Sequence, residues 1–195
     1  MNVVPVFINF IATETLKLDN AKIEKYCQDL KKASPGRVVS NGGGWQSHDF
    51  DPKTPELQEL FTAVNAKLNE LHRYFNFNET YKQSVVEAWI NINNRGGFNY
   101  SHTHPGRFFS CVYYVKGGQN KGNIEFTTPI VAHGYTIHNE MVTQFNAYTG
   151  NALALPAITG ELIIFPSWLD HHVKQNNTDE DRISIAMNSA IERIA

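Results

Sequence analysis

Three short stretches of this 195-residue chain carry side chains able to hold a metal ion and act on a substrate beside it. The first is His102-Thr103-His104, which follows the turn-rich Arg95-Gly96-Gly97-Phe98-Asn99 and precedes Pro105-Gly106. Residues i and i+2 of an extended segment point to one side, so both imidazoles can face one metal while Thr103 points away. Two His at this spacing also arise by chance as surface or core residues, so the pair needs a third ligand before it means a metal site. The second stretch, Phe165-Pro166-Ser167-Trp168-Leu169-Asp170-His171-His172-Val173, supplies candidates for it. One distant His, brought back by a neighbouring strand, would complete a three-ligand face and leave the remaining positions open, as catalytic non-haem iron sites do. His171 and His172 are both candidates, and adjacent residues of a regular strand cannot both point inward.

The third stretch is Arg182-Ile183-Ser184-Ile185-Ala186-Met187-Asn188. In a strand, Arg182, Ser184, Ala186 and Asn188 share one face and Ile183, Ile185 and Met187 the other. Such a polar face either meets solvent or lines a cavity, and the His pairs favour the cavity. A pocketed Arg offers a bidentate fork for a carboxylate, with Ser184 a hydroxyl donor beside it. Within Ser110-Cys111-Val112-Tyr113-Tyr114-Val115, the residues Ser110, Val112 and Tyr114 alternate onto one face, so Tyr114 can present its hydroxyl to the same carboxylate.

The elements that must position these groups fall into two regions. Residues 3 to 10 read as a strand broken early by Pro5, and a helix is predicted from Asp19, its N-cap, to about Ala33. Asn41-Gly42-Gly43-Gly44 reads as a loop. A second helix shows the clearest periodicity: Thr54 as cap, Pro55 at the first helical position, then Leu57, Leu60, Phe61, Val64, Leu68 and Leu71 on one face, with Gln58, Glu59, Asn65, Lys67 and Asn69 opposite. After Thr80 the pattern changes to short strands, predicted at 84–93, 108–116, 122–127, 152–156, 161–165, 171–175 and 182–189. Strands so spaced without intervening helices indicate a sandwich or barrel. The connection 128–151 has no firm periodicity, and loops of that length are often lids or binding loops. The expected organisation is a single domain, 1–195, with a helical support region at 1–80 and a catalytic core at 81–190.

Composition narrows the function classes. Hydrophobic residues make up 42% of the chain and charged residues 18%, which excludes disorder as the main state. Seventeen Lys plus Arg against nineteen Asp plus Glu leave a net charge of −2, so no basic field invites nucleic acid or an anionic membrane. Cys27 and Cys111 are too few for a disulfide scaffold and read as small buried hydrophobes. The opening MNVVPVFINF lacks the charged start of a signal peptide and no stretch approaches a membrane span, so the expected setting is cytoplasmic.

Together, Trp89-Ile90-Asn91, His102-Thr103-His104-Pro105, Ser110 to Val115, Gly160 to Leu169 with His171, and Arg182-Ile183-Ser184 with Asn188 resemble the iron- and 2-oxoglutarate-dependent oxygenases. The similarity is strongest from about 85 to 189 and points to the prolyl-hydroxylase-like branch common in marine bacteria and their phages. It implies a mainly β fold, a double-stranded β-helix or jelly roll with N-terminal α-helices packed on one sheet. It implies Fe(II), 2-oxoglutarate and O2 as cofactor and cosubstrates, and a small-molecule or peptide substrate hydroxylated at an unactivated C–H bond. Carried over to this sequence, it makes His102 and His171 metal ligands, favouring His171 over His172. It sets Arg182 on the far carboxylate of 2-oxoglutarate with Tyr114 assisting; strand alternation, independently of the resemblance, adds Ser184 beside Arg182, and Asn91 is a further cosubstrate-binding candidate.

The middle ligand departs from the family pattern, since His104 stands where most members carry Asp or Glu. A three-His site leaves the metal with one more unit of positive charge than two imidazoles and a carboxylate. A cupin-like metal-binding jelly roll without 2-oxoglutarate turnover competes on the same fold, from the spacing of Gly96, His102, His104, Gly160, Pro166 and His171. Against it, Phe108 and Phe109 occupy the positions of the usual cupin Glu, and a cupin has no required use for Arg182 or Tyr114. Glu125 is a ligand only if the strand register differs from expectation. His48 and His72 read as surface or hydrogen-bonded residues, His133 and His138 as loop residues within reach of a substrate, and Trp45, Trp89 and Trp168 as core or rim aromatics. Asn93 and Asn188 join Asn91 as cavity-lining candidates.

Overall fold

The computed structural model describes residues 1–2, 9–146 and 148–194. The strand expected at 3 to 10 falls mainly on residues 3–8, outside the described residues. From the N-terminus the elements are β1 (Ala12–Thr15), α1 (Asn20–Ala33), β2 (Asn41–Gly42) and β3 (Trp45–Gln46), then a 3-10 turn (Pro55–Leu57) and α2 (Gln58–Tyr74). There follow β4 (Tyr81–Asn93), β5 (Phe98–His102), β6 (Phe109–Lys116), β7 (Ile124–Thr127), α3 (Val131–Thr136), β8 (Ala152–Leu155), β9 (Glu161–Pro166), β10 (His171–Val173) and β11 (Arg182–Arg193). The strands form two antiparallel sheets, β1-β9-β6-β11-β4-β3 and β2-β5-β10-β7-β8, the two walls of a double-stranded β-helix.

Alternation along β4 and β11 divides the larger sheet into two environments. Ala88, Ile90 and Ile92 on β4 and Ile183, Ile185 and Met187 on β11 face outward into a core shared with Leu57, Leu60, Phe61, Val64 and Leu68. This burial holds α2, and part of α1 through Ile23 and Cys27, against the sheet. A second, smaller core fills the space between the sheets with Val112, Ile124, Phe126, Ile163, Phe165 and Leu169. The inner face of the larger sheet is built of rows fixed by register: Glu87–Asn188–Ser110, Trp89–Ala186–Val112, Asn91–Ser184–Tyr114, then Asn93–Arg182. Across the space, β5, β10 and β7 contribute the row His102–His171–Phe126.

Two features of the helices differ from expectation. The Thr54 hydroxyl does not cap α2; it donates to the Asp51 carbonyl at 2.7 Å, and Pro55–Leu57 forms a 3-10 turn ahead of the helix. Asn65 and Asn69, expected on a solvated face, instead satisfy the backbone of β4 where no strand covers its edge. Asn65 Oδ1 accepts from Val85 N at 2.8 Å, Asn69 Oδ1 from Gln83 N at 3.0 Å, and Asn69 Nδ2 donates to the Gln83 carbonyl at 2.8 Å. Asp19 caps α1 as expected, accepting from Lys22 N at 3.0 Å. The N-terminal region thus adds β1 and β3 to one sheet and β2 to the other, besides its helices.

Candidate metal centre

His102 closes β5 and His171 opens β10, and the two residues pair directly across the antiparallel ladder. Their side chains therefore stand side by side on the inner face, with ring centroids 4.4 Å apart. His104 lies two residues beyond the end of β5 and turns inward as the i, i+2 spacing requires, its ring 4.9 Å from that of His102 and 5.2 Å from that of His171. One nitrogen from each of the three lies within 4.8 Å of the others. Among the described residues this is the cluster with the geometry to hold a metal ion.

Two of the rings are fixed in orientation. The Nδ1–H of His102 donates to the Tyr100 carbonyl at 2.7 Å and that of His171 to the Leu169 carbonyl at 2.9 Å, which leaves Nε2 as the lone-pair donor in both. Burial, reinforced by His102, pushes His171 down to about 3 and His104 down to about 4, with Glu87 pulling His104 the other way. Both are neutral at physiological pH and present lone pairs rather than protons.

β10 resolves the choice between adjacent histidines by strand alternation. His172 points to the outer face, where its Nε2 lies 3.2 Å from Glu125 Oε2, and Lys174 Nζ lies 3.2 Å from the same oxygen. Glu125, paired opposite His172, therefore also faces away from the cavity and is no ligand. His48 and His138 are exposed, and the side chain of His133 lies outside the described residues. His72 is buried in the last turn of α2 with Nε2 3.0 Å from the Asn78 carbonyl, a packing role.

Away from the histidines the cavity ends on Arg182, whose side chain is almost wholly buried. Nη1 donates to the Lys174 carbonyl at 2.9 Å, the Gly122 carbonyl at 3.2 Å and the Lys121 carbonyl. Nη2 is buried with no partner, as are the Tyr114 hydroxyl and Asn91 Oδ1. Buried donors or acceptors without partners cost about 1–3 kcal/mol each, so two donors and one acceptor left over in one cavity mark a place built for a polar ligand. Burial raises the Tyr114 hydroxyl to about 12, so it stays a donor, and lowers Arg182 from its usual value. Ser184 sits between Asn91 and Tyr114 in the same row. An Arg fork, a phenol and a hydroxyl at one end, with three imidazoles at the other, fit a carboxylate-bearing cosubstrate that reaches a divalent metal.

Ser40, Asn99 and Trp89 are among the cavity-lining residues that were not singled out as binding candidates by sequence. Ser40 and Asn99 line the cavity beside β5, with Asn99 Nδ2 3.4 Å from Ser40 Oγ. Trp89 is more than a rim aromatic: it lines the cavity and packs against His104, with centroids 5.6 Å apart. The signal for Asn99 was hidden by an irregularity in β5, which breaks the alternation between Asn99 and His102.

The fold is a jelly roll whose cavity brings together three histidines with the geometry to hold a metal ion at one end and the buried Arg182 at the other. Residues 87–188 match the model of the family described as "Putative 2OG-Fe(II) oxygenase", and the chain belongs to that family. It is accordingly an enzyme of the oxidoreductase class, a 2-oxoglutarate-dependent oxygenase that uses Fe(II) and O2. No curated protein matches the sequence. Among solved structures, a Pseudomonas putida prolyl-4-hydroxylase is 13% identical with a TM-score of 0.63, covering 91% of each chain. The viral collagen prolyl hydroxylase of Paramecium bursaria Chlorella virus-1 is 13% identical with a TM-score of 0.59, covering 92% of this chain and 94% of that one. HygX from Streptomyces hygroscopicus, solved with nickel and 2-oxoglutarate, is 10% identical with a TM-score of 0.63, covering 94% and 83%. At these identities the likeness is one of fold. The cupin-like alternative is not favoured, because the family match and the buried Arg182 end both accord with the oxygenase. No helix among the described residues is long and apolar enough to cross a membrane.

Proposed function

We propose that the protein hydroxylates an unactivated C–H bond of a small molecule or peptide, of the prolyl type, with Fe(II) held by His102, His104 and His171. The observation that carries this reading is the set of unpartnered buried polar atoms, Arg182 Nη2 and the Tyr114 hydroxyl, in the cavity that the three histidines enter. Arg182 Nη2 and the Tyr114 hydroxyl donate to the far carboxylate of 2-oxoglutarate, Ser184 adds a hydroxyl donor, and the Asn91 amide lies along the same row. The three carbonyls on Nη1 hold the guanidinium in one orientation, so the fork is ready before the ligand arrives. His102 and His171 present Nε2 from rings already locked by backbone carbonyls. Val112, Ile124 and Phe165 exclude water from the cavity walls. When bound, Fe(II) and 2-oxoglutarate with O2 supply the oxidant: one oxygen atom enters the substrate C–H bond, and the cosubstrate leaves as succinate and CO2.

Prolyl-type chemistry is supported by the names of two structural neighbours, both prolyl hydroxylases. We assign catalysis to the 81–190 core, with 1–80 as its support, and place substrate access beside the 128–151 segment. That segment exposes Tyr135, Met141, Phe145 and Tyr148, a surface suited to an apolar or peptide substrate. A cytoplasmic setting accords with two buried free cysteines. The test is anaerobic titration with Fe(II) and 2-oxoglutarate. A metal-to-cosubstrate charge-transfer absorption, followed by succinate on admitting air, is expected; no absorption and no succinate would overturn the reading.

A further inference from the structure

His104 differs from the other two histidines in how it is held. Its imidazole has no hydrogen-bond partner among the described residues and packs against Trp89 and the other two imidazoles, while its backbone lies in a turn outside β5. That backbone is tethered at both ends. His104 N donates to the Ser167 carbonyl at 2.8 Å, and the His104 carbonyl accepts from Arg107 N at 3.3 Å.

Both tethers lead to one residue. On one side, Ser167 Oγ lies 3.1 Å from Ser110 Oγ, and the Ser110 hydroxyl donates to Asn188 Oδ1 at 2.8 Å. On the other, Arg107 Nε and Nη2 grip Glu87 at 3.0 and 2.7 Å, and Glu87 Oε2 accepts from Asn188 Nδ2 at 2.8 Å. Glu87, Asn188 and Ser110 are one row across β4, β11 and β6, so the register of the sheet is transmitted to a turn that carries no ladder of its own. The Arg107 fork holds the Glu87 carboxyl below its usual range, so it remains an ionised acceptor.

We propose that the closed circuit His104–Ser167–Ser110–Asn188–Glu87–Arg107 positions His104 as the third metal ligand, with Glu87 and Asn188 as the positioning residues that close it. The inference rests on the reading of His104 as a ligand given above. The circuit sets the turn, the turn sets the imidazole, and Trp89 limits its rotation. Residues that orient a metal-bound side chain commonly cost about 10–100-fold in metal affinity when lost.

The experiment uses the full chain stripped of metal and titrated with Co(II), whose visible absorption reports ligand number. Glu87→Gln, which keeps shape but loses the charged fork, and Ser110→Ala, which cuts the opposite arm by one hydroxyl, are each made alone and on a His104→Ala background. Each single variant is expected to weaken Co(II) binding about tenfold or more and to alter its visible spectrum. On the His104→Ala background each is expected to change affinity by less than about twofold, because coupled residues fail to add. Folded single variants that bind Co(II) with the affinity and spectrum of the parent would overturn the circuit's role, as would equal losses on both backgrounds. If Glu87→Gln fails to fold, Ser110→Ala decides alone. A His104→Ala protein that binds Co(II) as the parent does would instead overturn His104 as a ligand, which separates that failure from this one.

Discussion

His102 and His171 are cross-strand partners, Cα opposite Cα on β5 and β10, so the hydrogen-bonded ladder itself sets the spacing of the two imidazoles proposed to hold the metal. Loss of either should weaken Fe(II) or Co(II) binding by more than the roughly 10–100-fold cost of losing a residue that merely orients a ligand. His172→Ala should leave metal binding unchanged, because that ring faces Glu125 on the outer side. Metal titration of the three variants checks this, and metal loss in His172→Ala equal to that in His171→Ala would overturn the assignment made by strand alternation.

Tyr114 and Arg182 should respond in opposite ways when each is trimmed. The Tyr114 hydroxyl is buried without a partner, so Tyr114→Phe removes an unsatisfied donor and should leave the ligand-free protein as stable or up to about 1 kcal/mol more stable. The same change should weaken 2-oxoglutarate binding about tenfold, the worth of one hydrogen bond to a charged group. Arg182→Ala should lower the melting temperature, because it strands the carbonyls of Lys121, Gly122 and Lys174, and should raise the cosubstrate requirement well beyond tenfold while metal content stays intact. Thermal denaturation and calorimetric titration measure both. A Tyr114→Phe protein with a clearly lower melting temperature and normal 2-oxoglutarate binding would refute the assigned role.

Gly122 shapes the seat of that arginine. Its φ is +86°, and a Cβ there would collide with the Lys174 carbonyl and with Arg182 Nη1. Gly122→Ala should therefore both strain the backbone, by about 1 kcal/mol or more, and push the guanidinium out of line. The expected signature is a reduced melting temperature with weakened 2-oxoglutarate binding and nearly unchanged metal affinity. Equal losses of metal and cosubstrate would mean that the substitution unsettles the whole barrel.

Side-chain period alone makes much of this legible in the sequence. α2, β4 and β11 carry long, unambiguous patterns, and the inward face of β11 already separated Arg182, Ser184 and Asn188 from Ile183, Ile185 and Met187. What period cannot say is which strand lies next to which. The choice of His171 over His172, the exclusion of Glu125, and the Glu87–Asn188–Ser110 row all depend on register between strands distant in sequence. β5 was masked by its own turn chemistry. Gly96 has φ +85°, and the strand begins at Phe98, immediately after residues that read as loop, so Asn99 and Ser40 gave no hint of lining the cavity. Thr54 does precede a helical turn, but Pro55–Leu57 is 3-10 and α2 begins only at Gln58, so its hydroxyl donates to the Asp51 carbonyl and accepts nothing from the helix end.

The buried imidazoles should also make the metal-free protein sensitive to acid. His171 at about 3 and His104 at about 4 lie below the value near 6.5 that both take in the unfolded chain. As pH falls below about 6.5 the unfolded state takes up protons that the folded state refuses, so stability declines on acidification and is recovered as pH rises. With two such groups the slope between pH 6 and pH 5 should be on the order of 2 kcal/mol per pH unit. Denaturant unfolding in the presence of a chelator at pH 7, 6 and 5 measures it. The double substitution His104→Gln with His171→Gln removes both groups and should flatten the profile over this range. Parent and double variant losing stability in parallel would show that other groups control the acid response.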